Sequence, residues 1–465
     1  MITLEHKTPG HPLYWQIYEQ IKRDIHGGVL AAEEKLPSKR KLAASLGVSV
    51  TTVDAAYAQL VSEGFLSARP QRGFFVCPLE ELKKSQPRPA ETEKAPGEKK
   101  AEVDFSSGAV DPEHFPYNTW RRLLKNTFNE YDEGLLRRTP PQGDWELRRA
   151  IAAYLYDARG VHCTADSIII GAGAEHLLQV LSYILENSCT IAMENPVYNR
   201  AYQIFQRMGH GVLPVDIDGA GMPVEPLADK QNIAVYVTPS HQFPLGVSMP
   251  ISRRIKLLRW AEAGKNRYII EDDYDSEFRY LTRPLPSLQS IDDGGKVIYL
   301  GTFTKSIAPS LRIGFLVLPP ALLSAYKEEY AGFGSLVSRL EQRVLCEFIR
   351  GGHFERHLNK MRTVYRGKRA LLERALREAF GPSLGMQGEN AGHHLLVSPG
   401  NGMSESELCA AAMKQGVRVY PISPYFIREI PAEHRGQVLL GYGGLSGEEI
   451  EKGVALLKKA WGMQR

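Results

Sequence analysis

A lysine set among hydroxyls and followed by an arginine can hold an anion beside an amine nucleophile. The stretch "GTFTKSIAPSLRIGF", residues 301–315, has that arrangement: Thr302 and Thr304 flank an aromatic, Lys305 follows at once, and Arg312 stands seven residues on. The hydroxyls and the guanidinium can share a phosphate-like anion, and the amine can attack a carbonyl. A basic loop on a solvated surface would read the same way, so the stretch needs partners. Three other segments offer them. "GAGAEHLL" (171–178) is a small-residue turn opening a helix, where the amides of Ala174 and Glu175 can bind a phosphate. "ENPVYNRAY" sets Tyr198 in a turn, where its ring can stack on a flat ligand. "EDDYDSEF" sets Asp272 and Tyr274 two apart, on one side of a strand end.

The elements that must position these groups are legible as an alternation. "SIIIGAG", "TIAMENP", "IAVYVTP", "RYIIEDDY", "KVIYLGTF" and "RIGFLVLP" are short apolar runs bounded by Gly, Pro or acidic residues. Such runs are buried strands of a mostly parallel sheet. "DWELRRAIAAYLYDARG" and "ISRRIKLLRWAEAG" are the covering helices. The result is an α/β fold with its chemistry at strand ends.

The first 78 residues follow a different pattern. Leu13, Ile17, Ile21 and Ile25 are four apart, one apolar helical stripe closed by Gly27 and Gly28. Ser38 caps a short helix that ends at Gly47. Ser49 caps another, with Val53, Ala56, Tyr57 and Leu60 facing inward. Two short helices joined by "GVS" form a helix-turn-helix. "FLSARPQRGFFV" adds a hairpin with a basic tip. Between the two parts, 79–101 is rich in Lys, Glu and Pro and poor in large apolar residues, the composition of a flexible linker. The expected bounds are therefore 1–78, 79–101 and 102–465.

Bulk properties exclude other classes. Lys and Arg number 57 against 53 Asp and Glu, a net charge of +4, so any nucleic-acid contact must come from a local patch. The five cysteines are scattered, with no C-x-x-C, which points to a reducing compartment and no metal site. No apolar run reaches the ~18 residues of a membrane span, and no signal-like segment opens the chain. A cytoplasmic protein without a membrane partner is expected.

Residues 10–78, above all "KLPSKRKLAASLGVSVTTVDAAYAQLVSEGFL", resemble the winged helix of GntR-type transcription regulators. The resemblance implies a double-stranded DNA operator as partner. Ser38, Lys39 and Arg40 suit phosphates. Ser49, Val50, Thr51 and Thr52 open the helix that meets base edges, and Arg72 and Gly73 form the wing tip. Many relatives carry arginine where Val50 stands.

Residues 102–465 resemble the fold-type-I aminotransferases, whose cofactor is pyridoxal 5'-phosphate. By that resemblance Lys305 forms the Schiff base, Asp272 pairs with the ring nitrogen, and Tyr274 bonds the phenolic oxygen. Thr302, Thr304, Arg312, Ala174 and Glu175 hold the phosphate, and Tyr198 stacks on the ring. His241 replaces the usual asparagine contact, because "NPTG" reads "FPLG" here with Phe243 in the asparagine's place. The whole layout is similar to the MocR-type regulators of the GntR family. It implies a homodimer that senses pyridoxal phosphate or an amine or amino-acid effector. Leu439 falls where an aminotransferase keeps its substrate-carboxylate arginine, so Arg200, Arg428 and Arg435 are the candidates for an effector carboxylate. The alternative is a working aminotransferase with a DNA-binding domain attached.

Overall fold

The computed structural model describes residues 12–78, 101–129, 133–186, 188–280, 285–330, 332–388 and 391–462. The expected linker, apart from Ala101, lies outside them. The chain forms two compact units, Met1–Gly97 and Glu98–Arg465. Among the described residues no helix is long and apolar enough to cross a membrane.

In the first unit α1 (Leu13–His26) buries Ile17, Tyr18, Ile21 and Ile25. α2 (Lys39–Leu46) starts at Ser38, whose side chain accepts from the Lys41 amide, and stops at Gly47 in the left-handed region. α3 (Val50–Ser62) starts at Ser49, which accepts from the Thr52 amide, and buries Val53, Ala56, Tyr57 and Leu60 completely. The Tyr57 hydroxyl donates to the Pro37 carbonyl at 2.9 Å, tying α3 to the segment before α2. The wing is the antiparallel pair β1 (Leu66–Arg69) and β2 (Gly73–Val76), in register from Leu66 opposite Val76 to Arg69 opposite Gly73.

The second unit is built on a seven-stranded sheet. Its order is Ile168–Gly171, Gly314–Val317, Val297–Thr302, Arg267–Asp273, Ile233–Val237, Thr190–Asn195, Val212–Asp216. Only Gly314–Val317 runs antiparallel to its neighbours. All six apolar runs named above are strands of it. The edge strand Val212–Asp216 escaped the sequence reading because half-exposed positions and Pro214 interrupt its apolar run. So did a four-stranded sheet of Gly385–Gln387, His394–Ser398, Val438–Gly441 and Tyr420–Pro421, in which the first and last strands have only three and two residues. Leu439 belongs to that second sheet and is fully buried with Leu245, Leu396 and Ile422.

Candidate functional site

The large sheet brings its strand ends to a cavity of about 390 Å³. Ser107, Ala174, Glu175, Tyr198, Arg200, Asp272, Tyr274, Thr302, Thr304, Lys305 and Arg312 all line it. Segments from residue 107 to residue 425 therefore meet here.

Lys305 lies in the turn that follows the strand Val297–Thr302, and its ammonium donates to the Ser107 carbonyl. Burial lowers its pKa from 10.5 to about 8, against a small opposing pull from Asp275. Asp272 is the last residue but one of the strand Arg267–Asp273. Strand alternation sends it to the cavity and sends Asp273 the other way, onto buried Arg159 at 2.8 Å. One Asp272 oxygen accepts from the Tyr236 hydroxyl, while Oδ1 is buried and has no partner. Burial raises the Asp272 carboxyl to about 7; the Tyr236 bond opposes this, and Asp273 and Asp275 add to it.

One end of the cavity is made by the helix Gly173–Ile184 and the loop returning to Gly314–Val317. Arg312 adopts the left-handed conformation and donates to Glu175 Oε2 at 2.8 Å and to the Ala172 carbonyl at 3.3 Å. Gly173 has φ +82, a conformation that strains other residues, and a Cβ there would press on the guanidinium carbon at 3.1 Å, so glycine suits an arginine lying over the helix start. Tyr198 precedes the helix Asn199–Arg207, and Arg200 in its first turn pairs with Glu175 Oε1.

Three expected contacts are placed elsewhere. His241 does not line the cavity; it is buried behind Tyr274, with Nδ1 2.9 Å from both the Tyr274 hydroxyl and Asp275 Oδ2. Arg428 pairs with Asp216 at 3.0 Å, and exposed Arg435 follows a short helical turn. Neither lines the cavity. Sequence reasoning missed His393 and His394, which do line it. Both His393 nitrogens are buried without partners, and its pKa is well below 6.5 through burial and then the nearby Lys305 charge. "GHHLL" carried the signal, two polar residues entering an apolar run, but not the direction in which they point.

In the first unit Val50 and Thr51 stand exposed at the head of α3, and Thr52 is half-buried. Ser49 Oγ lies 2.7 Å from both threonine hydroxyls. Arg40 and Arg72 are exposed, and among the described residues neither side chain has a partner. Lys39 is paired with Asp54, which draws its charge toward α3. Gly73, at φ +107, begins β2 behind the tip.

The bacterial regulatory protein gntR family matches residues 13–76, and aminotransferase class I and II matches residues 100–452. The chain is 33% identical to the probable rhizopine catabolism regulatory protein MocR of Rhizobium meliloti, over 97% of this chain and 94% of that one. It belongs to the GntR-family regulators of the MocR type. The chain is also 41% identical to the uncharacterized HTH-type transcriptional regulator YdeL of Bacillus subtilis (strain 168), over 98% of each chain. The MocR-type large unit is similar to LysN, the α-aminoadipate aminotransferase of Thermus thermophilus, solved with N-(5'-phosphopyridoxyl)-L-leucine. Identity is 26%, the TM-score 0.68, and coverage 77% of this chain and 92% of that one. The first unit of a MocR-type chain is its DNA-binding domain, and the protein is a transcriptional regulator.

Proposed function

We propose that this regulator holds pyridoxal 5'-phosphate in the 390 Å³ cavity and responds to that cofactor, or to an amine or amino acid that joins it there. The unpartnered, buried Oδ1 of Asp272 carries the reading. A carboxylate oxygen left without a partner in a dry wall is costly unless a ligand supplies the proton. A protonated ring nitrogen is such a ligand, and the phosphopyridoxyl compound in the similar LysN structure has one to offer. Lys305 and Arg312 line the same cavity as Asp272.

When bound, the cofactor supplies an aldehyde and an electron-withdrawing ring. The protein's residues supply the rest. Asp272 keeps the ring nitrogen protonated, and Tyr236 orients that carboxylate. Lys305, shifted to about 8, holds a usable fraction of neutral amine near neutral pH and is the nucleophile. Arg312, Thr302, Thr304 and the Ala174 and Glu175 amides take the phosphate, Tyr198 packs on the ring, and Tyr274 faces its oxygen. Arg200 meets an effector carboxylate. Leu439 sits in an apolar cluster where an aminotransferase would place its carboxylate arginine, which favours sensing over turnover.

In this reading residues 1–78 read an operator, with Arg40 and Arg72 on phosphates and the start of α3 on base edges. Residues 79–101 tether them to 102–465, and two copies assemble to present two readers to two half-sites inside the cell. The test is chemical: incubate the full chain with pyridoxal phosphate, reduce with borohydride and map the modified peptide. Attachment at residue 305 is expected. Attachment at another lysine, or none, overturns the assignment.

A further inference from the structure

Glu175 stands between two arginines on the cavity wall. Its Oε1 accepts from Arg200, and its Oε2 accepts from Arg312 at 2.8 Å. Burial pushes its carboxyl up, but the bonds from Arg200 and Arg312 outweigh burial and hold it below the usual range. Arg200 is shifted upward, first of all by its bond to Glu175. The arginine side chains are 67% and 49% exposed, against 26% for Glu175. Ion pairs that open to water add little to stability. The more consequential property of this one is its position: it puts a negative charge on the arginine that an incoming anion needs.

We infer that Glu175 is an internal competitor for the phosphate site, and that it passes between Arg312 and Arg200 as anions arrive. The inference rests on the reading above, in which Arg312 takes the cofactor phosphate and Arg200 an effector carboxylate. A phosphate over the helix start faces the Glu175 carboxylate at close range, and like charges there repel. Glu175 then leaves Arg312 and stays with Arg200 alone, so Arg200 eases phosphate entry by giving the displaced carboxylate a place to go. A ligand carboxylate that takes Arg200 does the reverse. It returns Glu175 to Arg312 and loosens the phosphate end of the cofactor. By linkage the two anions oppose each other by the same factor in either direction. One glutamate thus makes the cofactor grip responsive to effector, with no domain movement required. Glu175 is a positioning residue here, since it acts through the two arginines.

The experiment is a calorimetric titration of the full chain with inorganic phosphate at low ionic strength. Glu175→Gln keeps the shape and removes the charge, and it is expected to tighten phosphate about tenfold, the scale of one close charge contact near a protein surface. Arg200→Ala is expected to weaken phosphate about threefold in the wild-type background and to have little effect when combined with Glu175→Gln, since coupled residues depart from additivity. Replacing chloride with acetate at constant ionic strength should weaken phosphate in the wild type and not in Glu175→Gln. Unchanged or weaker phosphate binding in Glu175→Gln overturns the proposal. So does an Arg200→Ala effect of equal size in both backgrounds, or an acetate effect that persists without the carboxylate. Arg312→Ala separates the two levels. If it leaves phosphate binding intact, the phosphate assignment itself is wrong, and the competitor falls with it. If it weakens phosphate while Glu175→Gln changes nothing, only the competitor falls.

Discussion

In the DNA-binding unit, the groups that would meet a ligand stand in water. Val50, Thr51, Arg40 and Arg72 are all exposed. They are set by caps and turns a few residues away, at Ser38, Ser49 and Gly73. In the large unit, the groups that would meet a ligand are drawn from residues 107 to 425 and face one cavity. They are set by partners far off in sequence, such as Tyr236 for Asp272 and Ser107 for Lys305. The contrast shows two kinds of robustness. A reader placed by local caps should tolerate changes elsewhere and lose affinity in small, additive steps. A cavity placed by tertiary contacts should fail abruptly when one buried charge is changed.

The largest effect expected on the cavity side is Lys305→Ala, which removes the only amine that lines the cavity among the described residues. Covalent cofactor trapping should vanish completely, while DNA affinity measured without cofactor stays at the wild-type value. Loss of both together would show that the two regions are not separable. Asp272→Asn is the next test. It keeps the volume but removes the charge offered to the ring nitrogen, and hydrogen bonds to charged groups contribute about 1.5–3 kcal/mol. Cofactor affinity should fall by at least about tenfold, read by loss of visible absorbance on dilution.

Much of the contrast was legible in the sequence. The caps and the hairpin of the first unit were legible because each is specified by neighbours in the chain, as Ser38, Ser49 and the turn before Gly73 illustrate. In the large unit the residue types were readable, but their directions were not. Asp272 and Asp273 are adjacent acids, and only the sheet decides which one meets the cavity. His241 was one layer off for the same reason: spacing placed it at the right strand end, and packing put Tyr274 in front of it. Arg428 and Arg435 stand out in the sequence by charge alone, and no strand or α-helix orients them. His393 went unread because a histidine entering a strand resembles any half-buried polar residue until its packing between Phe278 and Tyr365, with no hydrogen-bond partner for either nitrogen, is visible.

Smaller effects sharpen the surface side. Arg40→Ala and Arg72→Ala should each lower the slope of log affinity against log salt by about 1 and weaken binding to all sequences alike. A change in sequence preference with no change in slope would place them on bases instead. The pH profile separates the two regions further. The reactive form of Lys305 is the neutral amine, whose pKa is lowered from 10.5 to about 8. Borohydride-trapped attachment should therefore rise with pH through about 8 and fall off below 7; a rise delayed to 10 would mean an amine in bulk water. The smallest effect is Tyr57→Phe. It removes the 2.9 Å bond to Pro37 and should cost the DNA-binding unit about 1 kcal/mol in chemical denaturation. The cofactor absorbance should be unchanged.

The central claim is that the cavity governs what the DNA-binding unit does. The most direct measurement uses DNA fragments selected from a random pool by the full chain, titrated by mobility shift with and without pyridoxal phosphate. The wild type is predicted to change its operator affinity or its induced bend when the cofactor is present, and Lys305→Ala to lose that response while keeping its cofactor-free affinity. Identical affinity and bend in all four conditions would contradict the claim.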